Sequence, residues 1–251
     1  MFVNNEWSNL KIVILGINNE YKDVLNVIKK KLEENSIKVV RPIPYKRLHI
    51  THSLWTRDSS IVIDNQAILL QLQNIDNEYR KLEYKTIPMT NSIIQNNDKI
   101  KLEGGDILQM KNKIFVGIHK RTNVLRYRWL KTIFPNKSFI QIKHTALHLD
   151  CCFCILPNHT ILYSRKYIET LPQYCYKHFN CINIDSYIKG DPNLATNFLF
   201  LDEKTIIIDN QFITIRTLLR QFGFKLIVID LKGIYKQGGS IRCLTQPLYR
   251  V

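Results

Sequence analysis

Two apolar patterns alternate along the chain. Short runs such as "TIIID" and "KLIVID" have the length and β-branched content of buried strands, while "ITIRTLLRQF" places apolar residues at helical spacing. The plainest stretch is "TNFLFLDEKTIIIDNQFITIRTLLRQFGFKLIVID". It reads as two strands joined by an Asp-Glu-Lys turn, then a helix and a further strand. The same order recurs in "HSLWTRDSSIVIDNQAILLQL" with "NEYRKLEYK", in "IKLEGGDILQMKNKIFVGIHKRTNVLRYRWLKTIF" with "SFIQIK", and in "LHLDCCFCILPNHTILYSRKYIETL" with "CINID". A fifth copy opens with "GGSIRCLTQPL" at the C-terminus. The N-terminal stretch "KIVILGINNEYKDVLNVIKKKLEENSIKVVRP" supplies its missing strand, helix and strand.

Units this small cannot bury an apolar face alone, so they must pack against one another. The pattern predicts an α/β fold: one domain over residues 1–251, a five-bladed α/β propeller with pseudo-fivefold symmetry, its ring closed by the N- and C-terminal segments. One polar residue recurs at a similar point of each unit. Asp58, Glu103, His148, Asn197 and Cys243 follow one another at intervals of about 45 to 49 residues, which predicts that they meet on the axis.

Composition adds exclusions. With 251 residues and 45% hydrophobic content the chain can bury a full core. The opening residues carry an acid and no basic start, so they do not read as a signal peptide, and no apolar run approaches membrane-spanning length; the expected location is the cytoplasm. The six cysteines then read as reduced thiols. Cys151, Cys152 and Cys154 lie in a strand-like run without a second pair at zinc spacing, so no metal is expected. The net charge of +15 invites nucleic acid, but it is spread among acids and no nucleic-acid motif accompanies it.

A thiol, an imidazole and carboxylates in one cavity are the parts of cysteine nucleophilic catalysis with a general acid and base. If "HLD" is a strand, His148 and Asp150 share a face, with Cys152 and Cys154 behind them. Asp58 of "WTRD" adds another acid. Carboxylates so close repel anions and suit a planar cation forming paired hydrogen bonds, for which a guanidinium is the natural candidate. The same carboxylates argue against an acidic Cys243 thiol, so its activation falls to the bound substrate. Gly238 and Gly239 read as leaving room for that substrate at a strand edge beside Cys243.

"WTRDSS", "LEGGDIL", "VGIHKRTN", "HLD" and "GGSIRCLTQPLYR", in this order, resemble the guanidine-modifying enzymes of the pentein fold: arginine deiminase, dimethylarginine dimethylaminohydrolase and arginine:glycine amidinotransferase. The opening "NEWSNLKIVILG" is similar to the start of amidinotransferases. The resemblance implies Cys243 as nucleophile, His148 as acid and then base, and Glu103 as the group orienting His148. It implies that Asp58 and Asp150 hold the guanidinium, that Arg121 and Arg80 hold the substrate carboxylate, and that no metal or organic cofactor takes part. Asn197 and Asp106 read as pins for the backbone. "HLD" resembles deiminases and amidinotransferases, whereas the chain length and "VGIHKRTN" fit the dimethylarginine hydrolases. The expected reaction is hydrolysis of arginine or a methylarginine to citrulline through an amidino-cysteine, the substrate being a small guanidino molecule of the arginine type. Transfer of the amidino group to an amine is the alternative, and an inactive basic binding protein on the same scaffold a second. No membrane or nucleic-acid partner is expected, and monomer and homodimer both stay open.

Overall fold

The computed structural model describes residues 1–42, 54–70, 102–120 and 122–251. In chain order, β1 (Leu10–Leu15), α1 (Lys22–Glu34) and β2 (Lys38–Val40) come first. The short helix α2 (Thr56–Ser59) leads into the hairpin β3 (Ser60–Ile63) and β4 (Gln66–Leu69). Next come β5 (Ile107–Met110), β6 (Lys113–Ile118), α3 (Val124–Ile133) and β7 (Ser138–Lys143). They are followed by β8 (Phe153–Leu156), β9 (Thr160–Tyr163), α4 (Gln173–His178) and β10 (Asn180–Asn183). Then β11 (Leu199–Phe200), β12 (Thr205–Asp209), α5 (Ile213–Gln221) and β13 (Lys225–Ile229) precede the short α6 (Lys232–Tyr235) and β14 (Thr245–Arg250).

Among the described residues these strands form five small sheets, four of them with the same mixed plan. The first strand pairs antiparallel with the second, and the second pairs parallel with the third, as in β5-β6-β7, β8-β9-β10 and β11-β12-β13. A parallel neighbour requires a crossover, and the helix between second and third strand supplies it. The fourth such sheet, β14-β1-β2, joins the last strand to the first two. Within each sheet burial falls outward. β8, β9 and β12 are buried at every position, whereas β2, β10 and β13 are mostly half-exposed. That is why the inner strands read as continuous apolar runs.

The two helices α1 and α5 each bury one apolar stripe. On α1 the stripe is Leu25, Ile28 and Leu32, and on α5 it is Ile215, Leu218 and Leu219, all buried. Each such side chain contributes about 1.5–3 kcal/mol. Asp202 tightens the predicted Asp-Glu-Lys turn by accepting from the backbone N–H groups of Lys204 and Thr205. The N-terminal segment crosses three sheets, bridging at Phe2 to Tyr249, at Val3 to Asp64 and at Asn5 to Met110. No helix among the described residues is long and apolar enough to cross a membrane.

One local expectation changes. The polar residues of the repeat do not stand in strands; each lies in or beside a tight turn that runs into the first strand of its sheet. Asp58 is in α2, Glu103 and His148 each precede a single 3-10 turn (Gly104–Asp106 and Leu149–Cys151), and Asn197 and Cys243 follow or sit in turns ahead of β11 and β14. A two-residue alternation and a single turn look alike over four residues, so pattern alone does not separate them.

Candidate active site

The turns bring their polar side chains together. His148 is buried and both ring nitrogens face carboxylates: Nε2 lies 2.5 Å from Glu103 Oε2, and Nδ1 lies 3.6 Å from Asp58 Oδ1. The 3-10 turn after Glu103 lets the imidazole approach closely, since a Cβ on Gly105 would fall 2.8 Å from His148 Cγ. Asp106 fastens this arrangement. Its Oδ1 accepts from the Leu149 N–H at 2.8 Å and lies 3.1 Å from His144 Nε2, and its Oδ2 accepts from the Thr122 hydroxyl at 2.5 Å. Thr122 Oγ1 in turn accepts from the Glu103 N–H.

Cys243 sits below in its turn, also buried. Asn197 Nδ2 donates to Cys243 Sγ at 3.2 Å, and Asn197 Oδ1 accepts from the N–H groups of Arg242 and Cys243 at 3.1 and 3.3 Å. The expected backbone pin is therefore there, and it also reaches the sulfur. Asp150 lies between the two halves of the site. Its Oδ2 accepts from Arg242 Nε at 3.0 Å, and its Oδ1 accepts from Cys151 Sγ at 3.6 Å. Behind it Arg242 Nη1 donates to Glu6 Oε2, and Arg242 Nη2 donates to the Ile107 carbonyl at 3.0 Å. Arg57 closes the back, its Nε donating to the Arg242 carbonyl and its N–H to that of Cys243.

Burial and mutual charge set the protonation pattern. Burial pushes Asp58 up to about 7, with Glu103, Asp150 and Asp106 adding to the effect and His148 opposing it. Burial works against a charged His148, yet Asp58, Glu103 and Asp106 outweigh it and raise the imidazole to about 10. Burial, then Asp150 and Asp58, hold the Cys243 thiol well above its ordinary range. The resting site thus pairs an imidazolium with a neutral thiol. That is the reverse of a thiolate activated by a neighbouring cation.

Asp58, Glu103 and His148 each place one donor atom within 4.8 Å of the others, and so do His148, Asp150 and Cys151. Arg80 and Arg121 lie outside the described residues. The sequence pattern put Cys152 and Cys154 behind His148; instead Cys152 Sγ turns to the Leu149 carbonyl, Cys154 joins the core, and Cys151 takes the place beside the site. In a 3-10 turn residues three apart eclipse, which carries Cys151 to the side of His148. All six cysteines are free thiols. The glycines before Cys243 have another use than a strand edge. Gly238 turns the chain at φ +86°, and a Cβ on Gly239 would fall 2.1 Å from the Trp55 ring. Glu6 and Arg242 were not singled out by sequence; the buried charge of each becomes visible only with its partner.

No family model matches the chain. An uncharacterised protein of Bacillus subtilis, YkgA, is 27% identical over 252 residues, which cover 91% of this chain and 87% of that protein. An N(G),N(G)-dimethylarginine dimethylaminohydrolase of Mycobacterium tuberculosis is 24% identical over 58% of this chain and 48% of its own length. Among solved structures, SxtG, an amidinotransferase of saxitoxin biosynthesis from Microseira wollei, superposes with a TM-score of 0.86 at 19% identity over 99% of this chain and 97% of its own. The inosamine-phosphate amidinotransferase StrB1 of Streptomyces griseus superposes with a TM-score of 0.87 at 14% identity over 100% and 97%. The chain has the pentein-type α/β fold, with mixed sheets, that these guanidine-modifying proteins share.

Proposed function

We propose that the chain is a cysteine-dependent enzyme of guanidino groups, built as one closed ring of five blades over residues 1–251. The observation that carries this reading is the buried His148 ring held between the carboxylates of Glu103 and Asp58, in a site whose carboxylates also act on the Cys243 thiol. A guanidinium suits a site in which Asp58 Oδ1 is buried without a hydrogen bond and Asp150 offers a second acid. Its positive charge favours ionised Asp58 and a thiolate at Cys243, the protons of both passing to water. The sulfur then bonds to the central guanidinium carbon. His148 gives the proton of Nδ1 to the departing nitrogen as the C–N bond breaks, and Glu103 holds the ring. The neutral imidazole next takes a proton from water, whose oxygen attacks the same carbon and releases the thiol. With ammonia departing first, the product of arginine is citrulline. Arg121 and Arg80 serve the carboxylate end of the substrate in this reading.

Transfer of the amidino group to an amine is the second reading. What favours it is that two amidinotransferases superpose over nearly the whole of both chains. Incubation with arginine, with and without glycine or lysine, and mass spectrometry of the products separates the two. Citrulline is expected without an acceptor. Ornithine formed only with an acceptor would establish transfer, and neither product from arginine or its methylated forms would overturn both.

A further inference from the structure

We infer that Glu6, from the N-terminal segment, is a positioning residue of the guanidinium site: acting through Arg242, it keeps Asp150 Oδ1 out of the Arg242 pairing and on the side of His148 and Cys151, where its partner is a weak thiol donor. The inference rests on the guanidino reading above and concerns a residue remote from the reacting atoms.

The geometry has the form of a relay. Glu6 is buried, and its two oxygens accept from Arg242 Nη1 and, at 3.5 Å, Arg242 Nη2. Oε1 also accepts from the Gln109 N–H at 3.0 Å, which fixes the carboxylate to β5. Arg242 spends its remaining donors on the Ile107 carbonyl and, through Nε alone, on Asp150 Oδ2. Its fork therefore faces Glu6, and Asp150 is held by one nitrogen. Asp150 Oδ1 stays on the side where Cys151 and His148 gather. Guanidinium and carboxylate prefer a planar, two-point pairing. With Glu6 gone, Asp150 is the only carboxylate among the described residues left in contact with Arg242, and the internal guanidinium would take both of its oxygens from an incoming one.

Charge points the same way. Arg57 and Arg242 face each other in a buried space, and Glu6 with Asp150 offsets them. The charged groups acting on Cys243 are Asp150, Asp58 and Arg242, with the Cys151 thiol beside them. Removing the Glu6 charge makes this surrounding more positive by one unit, which favours a thiolate and disfavours a cationic substrate. A residue that only filled space would do neither.

The test is alkylation of Cys243 by iodoacetamide in the full chain, followed by mass spectrometry of its peptide, as a function of pH and of added arginine or guanidinium chloride. In E6Q the alkylation midpoint is expected to fall by about one pH unit. The arginine concentration that protects Cys243 is expected to rise about tenfold, and E6D is expected to restore most of both. Wild-type midpoint and protection in a folded E6Q would overturn the inference, while arginine protection of the wild-type chain would keep the guanidino reading standing. If neither arginine nor guanidinium protects the wild-type chain, that reading falls and takes the inference with it. Should E6Q not fold, R242Q reads the same coupling with opposite sign: its midpoint rises, and an unchanged midpoint would overturn the relay.

Discussion

Two buried charge clusters lie back to back in this protein, and they are finished to different degrees. Around Arg242 the groups are closed upon each other: its guanidinium donates to Glu6, Asp150 and Ile107, and Glu6 also accepts from Gln109. Each charge there reinforces the other, since Asp150 and Glu6 raise Arg242 against the effect of burial, and Arg242 and Arg57 lower Glu6 against it. Around His148 the groups are left open. Asp58 Oδ1 is buried without a hydrogen bond, 3.6 Å from the imidazole, and titrates near neutrality. In the closed cluster every carboxylate oxygen of Glu6 and Asp150 has a donor, whereas the open one keeps a buried Asp58 oxygen ready for a proton or a cation.

The largest test of this contrast is removal of the thiol. Cys243→Ser is expected to lose covalent labelling by a chloroacetamidine reagent and all turnover, while Cys151→Ser keeps labelling at Cys243; peptide mapping of the adduct checks both. Next comes the closed cluster. Arg242→Met leaves Glu6 and Asp150 buried without their cation and is expected to cost about 3–5 kcal/mol of stability, read as a lower urea midpoint.

The open cluster responds to pH. In the proposed reading a guanidinium binds ionised Asp58, so arginine affinity is expected to rise about tenfold from pH 6 to pH 8 as the carboxyl at about 7 loses its proton. Calorimetric titration at the two pH values measures it, and a flat profile would place the cation elsewhere. The smallest effect sharpens the comparison most. Asp58 is raised from 3.8 to about 7, so the native state holds its proton more tightly than the unfolded chain does. The resulting penalty is absent below about pH 4 and complete above about pH 7. Asp58→Asn is therefore expected to be more stable than wild type at pH 8, with the gain vanishing at pH 4, even as it loses arginine binding. Opposite stability effects from two buried charges would separate a paired charge from an unpaired one.

What was legible in the sequence follows the range of each interaction. The apolar runs of β11, β12 and β13 and the helical stripe of α5 depend on near neighbours and announce their elements. The recurrence interval placed Glu103 and His148 together, because equivalent points of stacked units converge. The conformation at those points was not legible: a 3-10 turn and a strand share the same four letters, and the difference exchanged Cys151 for Cys152. Least legible were the Arg242 contacts, which join residues 92 and 236 positions apart. The opening "NEW" drew notice by its similarity to amidinotransferases, but nothing local to it names a partner for Glu6. Asn197 was found by spacing, and its contact with the sulfur came only with the turn that carries Cys243.

The pairing of β14 with β1 has a consequence for biosynthesis. A ribosome working at about 5–20 residues per second needs roughly 12–50 s to make the chain. Through nearly all of that time β1 lacks its antiparallel neighbour, because residues 245–250 are made long after residues 10–15. One side of "LKIVIL" stays an unpaired, apolar edge of the kind that recruits other chains. The nascent protein therefore carries an open apolar edge in β1 that it loses only at about the moment Cys243 emerges.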